Sequence, residues 1–453
     1  MNTDAPTINP VRDIDPPPAA SPAFAELVRV CARIGCISFG GPAGQIALMH
    51  RELVDDRRWI AEGEFLHALN FCHLLPGPEA QQLATWIGWK LHGVRGGLAA
   101  GLLFILPGAV LMLGLSTLYA YAARLDWFAA LFLGIKAAVL AIVAQALLRV
   151  GGRALDTRFK GAIAAAAFLA LALFNLPFPL VVLGAGAIGM AVAALRPHWL
   201  ALKPMGAPPA AAPRPWLATL RVIAIGGAIW ALPMVAILVF LGHDHVLWQI
   251  GAFFSKLAVV TFGGAYAVLA YMAQQAVQQM GWLAPGEMAD GLGLAETTPG
   301  PLILVTQFVG YLAAFRAPEP FSPLLAGLLG AALTTWVTFT PSFLWIFALA
   351  PWIERMAHAP RLKGGLATLT AAVVGVIANL ALWFGLHVLF TRLRPISAGP
   401  LHLTVPDPAS VDWPAAMLAI LAAALVFKAR WGVVRVLAVC ALAGLALDRL
   451  LPG

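Results

Sequence analysis

Charge is what this chain has least of. Only 11% of its 453 residues are Asp, Glu, Lys or Arg, against roughly 25% in soluble domains, which excludes an ordinary soluble globule. Cysteine is scarce as well: Cys31, Cys36, Cys72 and Cys440 fall inside apolar runs, with no CxxC pair and no histidine-rich neighbour. That excludes a disulfide or zinc framework; the four read as buried free thiols and do not report on redox compartment. Short alternating segments are missing, so an outer-membrane barrel is not expected. HExxH, GxSxG and GxxxxGK[ST] are absent, and Ser116 has no evident histidine partner. Zincin and nucleophile-elbow chemistry are therefore not expected, nor is a nucleotide-phosphate loop. His243-Asp244-His245 has the look of a metal pair, but a short loop with no further ligand nearby reads as a polar turn. No metal or cofactor is expected, and the chain is not read as an enzyme. A basic-then-apolar start is lacking too, so the Pro- and Asp-rich residues 1–22 read as a disordered cytoplasmic tail rather than a signal peptide.

What is abundant is hydrophobic residues, 61% of the chain. Apolar runs fall at roughly 24–50, 65–91, 96–122, 127–148, 161–175, 178–195, 218–241, 247–273, 287–314, 322–350, 365–390, 414–427 and 432–450. Many reach the ~20 residues that cross a bilayer. The expected fold class is an all-α polytopic membrane protein with about thirteen transmembrane segments, some of them broken or re-entrant. The net charge of +8 sits in short loops between these runs, as topology-setting bases do, and no nucleic-acid partner is expected.

A forty-residue stretch occurs twice. Phe39 and Phe262, Trp59 and Trp282, Glu64 and Glu287, and Pro76 and Pro299 are each 223 residues apart. Arg33 and Lys256 share that spacing, and downstream Pro107/Pro341 and Gln145/Asn379 are both 234 apart. This is an internal duplication with about a dozen residues inserted around Arg316–Pro320. The expected units are a first repeat at 23–196, a linker with a connecting span at 197–246, and a second repeat at 247–453. Six spans in the first repeat and one extra reverse the second copy, giving an inverted-topology repeat. Sixteen Lys and Arg fall on the N-terminal side and eight opposite, among them Arg51, Arg57 and Arg58. The positive-inside rule then puts the N-terminus in the cytoplasm and the C-terminus in the periplasm.

Breaks inside apolar runs carry the functional signal. Gly40-Gly41-Pro42 and Pro76-Gly77-Pro78 in one copy, and Gly263-Gly264 and Thr298-Pro299-Gly300-Pro301 in the other, release backbone N–H and C=O groups that lipid cannot satisfy. Such breaks persist where protein buries them or where they line a cavity. Paired breaks in two halves point to a transporter site, with half-helix N-termini attracting anions. The competing reading is that the glycines only let helices pack closely. Arg33 and Lys256 are intramembrane bases at equivalent places, so each faces a cavity or a partner; Glu26, on the face of Arg29 and Arg33, is the candidate partner. Gln81 and Gln82 flank the first Pro-Gly-Pro where a helix restarts. Glu64 and Glu287 are either proton-coupling residues or first-turn helix acids, and His73 and Glu79 are further proton-coupling candidates.

Phe39-Gly40-Gly41-Pro42-Ala43, Arg51-Glu52-Leu53-Val54 with Arg57-Arg58-Trp59, and His73-Leu74-Leu75-Pro76-Gly77-Pro78-Glu79-Ala80-Gln81-Gln82 resemble the chromate ion transporter family in its long, two-half form. Thr261-Phe262-Gly263-Gly264 and Thr298-Pro299-Gly300-Pro301 carry the resemblance into the second half. It covers about 24–150 and 247–390, with one departure: Arg33 stands where Lys is usual in the family. The resemblance implies a bacterial inner-membrane protein that exports chromate, with sulfate as the related dianion. A homodimer stays open. Each charge moved through 100 mV is worth ~2.3 kcal/mol, so a dianion leaving a negative cytoplasm is driven without ATP. An importer of sulfate or another oxyanion on the same scaffold is the alternative, and a pore is a further one.

Overall fold

The computed structural model describes residues 21–39, 41–123, 125–201, 216–260, 269, 271–353 and 359–450. Expectations for residues 1–20, Gly40, Gly263 and Gly264 lie outside the described residues.

The apolar run at 24–50 is two short helices, α1 (Phe24–Ile37) and α2 (Gly41–His50), the second running on into a π-helical turn at Arg51–Asp56. The run at 65–91 is likewise two: α3 (Glu62–Cys72), and the first arm of α4 (Glu79–Ala122). Side chains show that these pieces fold back. His50 Nε2 is 2.5 Å from Glu62 Oε2, Lys90 Nζ is 2.9 Å from Glu64 Oε1, and His92 Nε2 is 2.9 Å from the Pro22 carbonyl. The open ends of both pairs thus gather on one face, with Ser38, Phe39 and Gly41 at one far tip and Pro76–Pro78 at the other. At about 1.5 Å per residue α3 rises ~16 Å, roughly half of a ~30 Å hydrocarbon core. Both pairs are helical hairpins, within the expectation of broken or re-entrant segments. The apolar window merged them because each arm is apolar and only a few residues separate arm from arm.

At His92 (φ −138°) and Gly93 (φ +63°, ψ −154°) α4 turns sharply, and its second arm runs on to Ala122. The arms touch at Gly88, where a Cβ would lie 2.7 Å from Ala100 Cβ and closer still to the Gly96 carbonyl. Glycine here permits close helix approach. Next come α5 (Asp126–Ala154), α6 (Arg158–Ala172), α7 (Phe178–Leu195) and α8 (Trp216–Phe240).

The second half repeats the plan. It holds α9 (Val246–Val260), a π-helical turn at Gln274–Gln279, α10 (Pro285–Thr297), α11 (Val305–Arg316), α12 (Pro323–Leu349) and α13 (Pro360–Leu389). The two π-helical turns begin 223 residues apart, as do α3 and α10. Arg316 Nη2 lies 2.5 Å from Glu287 Oε1, and its Nη1 donates to the Trp282 carbonyl at 2.7 Å, closing α10 and α11 into a hairpin whose tip is Thr298–Pro301. Gly330 and Gly310 meet as Gly88 and Gly96 do.

Two long helices join the halves. Gly97 faces Phe347 and Gly101 faces Phe343, so the second arm of α4 and α12 pack antiparallel. The last helices are exchanged: α6 and α7 pack on α13, while α14 (Trp413–Ala423) and α15 (Val433–Leu450) pack on α5. At that exchange Gly134 sits against the Cys440 carbonyl and Gly189 against Thr368. Among the described residues six helices are long and apolar enough to cross a membrane, rather than thirteen.

One element departs from the all-α expectation. β1 (Leu393–Ala398) and β2 (Leu401–Pro406) form an antiparallel hairpin. Gly399, with φ +60°, is the first residue of the two-residue turn, where a mirror-image turn requires glycine. The His402 N–H donates to the Leu173 carbonyl at 2.7 Å, pinning the hairpin beside the end of α6. It roofs a cavity of about 460 Å³ whose lining includes Tyr271, Gln274, Asn379 and Trp383. Cys31, Cys72 and Cys440 are buried free thiols, but Cys36 is exposed, contrary to expectation, because its position on α1 faces outward beside Ile37.

Candidate functional site

The first tip of one half meets the second tip of the other. The Gly300 N–H donates to the Ser38 carbonyl at 2.9 Å, and Gln45 Nε2 donates to the Gly300 carbonyl at 2.5 Å. Gly300 has φ +87° and packs 3.2 Å, measured from an ideal Cβ, from the Phe104 carbonyl of α4. Gly77, with φ +119°, makes the mirror contact on α12: a Cβ there would lie 2.7 Å from Ser342 Oγ and 2.9 Å from Gln82 Nε2. Gly108 of α4 in turn abuts the Pro299 carbonyl. Each Pro-Gly-Pro break therefore lies against the long helix of the opposite half. Only glycine fits, by conformation and by space.

The released backbone groups are paired by protein, as burial in a membrane demands. Gln82 Nε2 donates to the Pro76 carbonyl at 2.7 Å. Thr297 and Thr298 hydroxyls donate to the Leu294 and Ala295 carbonyls at 2.7 and 3.0 Å, covering the end of α10. Gln307 Nε2 bonds the Ala109 carbonyl at 2.9 Å, tying α11 to α4. Several buried polar atoms remain without a protein partner: the hydroxyls of Ser38 and Thr338, and the amide oxygens of Gln45, Gln81 and Gln82. Buried polar atoms ordinarily have partners, so this set, split between the tips and the α12 turn beside Ser342, leaves hydrogen-bonding capacity that a polar ligand or water can meet.

The expected site residues are distributed as follows. Pro78 caps α4, and the N–H groups of Glu79, Ala80 and Gln81 open its first turn beside the Pro76-Gly77-Pro78 tip. Gln81 is fully buried, with Nε2 3.0 Å from Thr85 Oγ1. Gly41 (φ +69°) and Pro42 start α2, half-buried, with open space where a Gly41 Cβ would be. Thr298, Pro299, Gly300 and Pro301 are buried. Arg33 is exposed and lies 3.7 Å from Glu52 Oε1, not beside Glu26, and Glu52 also holds Arg57 at 2.5 Å. Lys256 is exposed on α9, with no ion pair among the described residues. Glu64 and Glu287 make equivalent ion pairs, with Lys90 and Arg316, and Glu287 also accepts the Ala284 N–H at 2.8 Å. His73 is exposed at the end of α3, and Glu79 is half-buried at the start of α4. His243 pairs only with its neighbour Asp244, and no metal-ligand cluster occurs among the described residues.

Ser38, Gln45 and Ser342 were missed in the sequence. Gln45 had a signal, as a lone amide in the apolar run Gly-Gln-Ile-Ala-Leu-Met; the serines had none.

A chromate transporter family model matches residues 25–190 and again 248–445. A chromate transport protein of Pseudomonas aeruginosa is 34% identical over 80% of this chain and 80% of its own length. One of Cupriavidus metallidurans is 28% identical over 89% of this chain and 88% of its own. A probable chromate transport protein of Synechococcus elongatus is 26% identical over 85% and 93%. No solved structure matches. The chain is a multi-pass membrane protein that belongs to the chromate transporter family.

Proposed function

We propose that the chain is a secondary exporter of chromate, with sulfate as a related substrate, and that the anion passes the place where the tips of two inverted halves meet. The observation that carries this reading is the contact of Gly300 with Ser38 and Gln45. A tip reached from one face touches a tip reached from the other, so a ligand held there is a half-membrane from either side. The antiparallel packing of α4 on α12 and the exchanged contacts of Gly77 and Gly300 support an inverted repeat. With α6, α14 and α15 counted beside the six long helices, four crossing helices follow the hairpins in each half, with α8 between, which makes nine crossings. That odd count keeps the termini on opposite faces.

Charge distribution supports a cytoplasmic N-terminus. Folding back puts the Arg51–Arg58 turn on the face of Lys90, which leaves Arg316, Arg392, Arg394 and Arg449 opposite among the described residues. The outward-negative sense of flux follows from the membrane potential. Half-helix ends supply about +0.5 charge each, so two ends offset about half of a −2 ligand, and Arg33 and Lys256 are the bases assigned to the remainder. Transport of labelled chromate and sulfate into inverted membrane vesicles, with and without a pH gradient, tests the reading. Chromate accumulation in inverted vesicles is expected; uptake confined to right-side-out vesicles establishes the importer instead.

A further inference from the structure

Away from the tips, an acid, a base and a phenol meet between the halves. Asp290 of α10 is 3% exposed. Its Oδ2 accepts the Tyr119 hydroxyl of α4 at 2.7 Å. Its Oδ1 faces Lys136 Nζ of α5 at 3.3 Å and accepts no aligned hydrogen bond. Lys136 is one-quarter exposed while Asp290 is closed, so the base is the more accessible of the two.

The duplication makes this cluster informative. At the 223-residue spacing Asp290 corresponds to His67, which is exposed, and at the 234-residue spacing Lys136 corresponds to Thr370. The first half builds the same hairpin without the cluster, so the scaffold does not require it. A buried ion pair is also a poor stabiliser, because desolvation offsets the attraction, and ionisable groups inside membrane helices mark ion and proton pathways.

We propose that Asp290 is a proton-binding site of the transport cycle, with Lys136 as the internal cation that its carboxylate releases on protonation. This rests on the transport reading above. The proton enters from solvent by the side of the more accessible Lys136 and bonds to Oδ1, the oxygen free of the Tyr119 bond. The ammonium, losing its counter-charge, is then balanced by the dianion in the pathway. Proton and anion occupancy are thereby coupled, each favouring the other. Of the elements packed on α10, α5 presents Lys136 and α4 presents Tyr119 to Asp290. Arg316 of α11 is held by Glu287, one turn away on α10 itself. The charged groups of α13 and α15 lie near their ends: Arg361, Lys363 and His387, and Arg435, Asp448 and Arg449. Cys440 of α15 packs on Gly134.

Purified full-length protein in liposomes with a trapped pH dye tests this, using labelled chromate. Wild type is expected to exchange chromate and to move protons with net chromate flux. Asp290→Asn, which resembles the protonated acid, keeps chromate–chromate exchange and loses the proton signal; Asp290→Glu restores it. A proton signal that persists in Asp290→Asn overturns the proposal. Loss of exchange together with the signal also overturns it, by assigning Asp290 to the frame. Wild-type exchange without any proton movement does the same. Absence of wild-type chromate exchange instead sinks the transport reading itself.

Discussion

The two halves of the chain share a scaffold and differ in what they carry on it. π-Helical turns and the Pro-Gly-Pro tips recur 223 residues apart, and close glycine contacts and end-closing ion pairs recur in kind. The polar cargo does not. Gln81 and Gln82 at the first Pro-Gly-Pro correspond to Leu304 and Val305 at the second, while the second half has the buried Asp290 where the first has the exposed His67. Geometry was duplicated and kept, while side chains diverged: Gln81 and Gln82 flank the first half's tip, and Asp290 meets Tyr119 and Lys136 on the second half's hairpin. Shared features thus read as architecture, and unshared ones as division of labour.

Substitutions at equivalent places put this comparison at risk, and the largest effects belong to the tips. Gly77→Leu is expected to abolish chromate export while the protein still inserts, because a side chain there strikes Ser342 and Gln82. Gly41→Leu does the same through backbone strain at φ +69°, with open space around it. Chromate resistance of cells, with membrane fractions to quantify insertion, reads both out.

Next come the bases. Lys256→Met is expected to abolish transport and Lys256→Arg to leave some, and Arg33→Lys to be milder than Arg33→Met, since Arg and Lys differ in geometry but not in charge. Glu52 is the partner the structure gives Arg33. If Glu52→Gln damages as much as Arg33→Met, and chromate affinity survives in the double Met variant, the bases are structural.

Smaller effects are expected where a side chain only pairs a released backbone group. Gln82→Leu leaves the Pro76 carbonyl unpaired, and Gln45→Leu does so for Gly300; each costs about 1–3 kcal/mol, read as a lowered thermal midpoint in detergent. The smallest belong to the end-closing pairs, which are partly exposed. Glu64→Gln is expected to cost about 0.2–1 kcal/mol. Glu287→Gln costs more, as it also frees the Ala284 N–H; equal losses at the two would break the distinction drawn here.

The duplication and the breaks were legible because glycine, proline and tryptophan keep their spacing when surrounding apolar residues drift. Whether a broken run spans or re-enters was not, since hydropathy measures solvent preference and carries no direction. Contacts such as His50–Glu62 and Lys90–Glu64 show the arms folded back on one another, and they form only once the chain has done so. The β-hairpin was hidden for a related reason: its strands are short, flanked by apolar helices, and held by the long-range bond of His402 to Leu173. Asp290 passed unnoticed in Met-Ala-Asp-Gly-Leu because its meaning depends on Lys136 and Tyr119, both more than 150 residues earlier.

The exchange of the last helices sets an order of assembly. α5 begins at Asp126, and its partners α14 and α15 begin at Trp413 and Val433. At ~5–20 residues per second of synthesis, α5 waits on the order of tens of seconds with an apolar groove, lined by Gly134, that only the end of the chain will fill. Contacts so distant in sequence are entropically slow to form. The first half therefore emerges from the ribosome unfinished, and the insertion machinery or surrounding lipid must shelter it until the last two helices arrive.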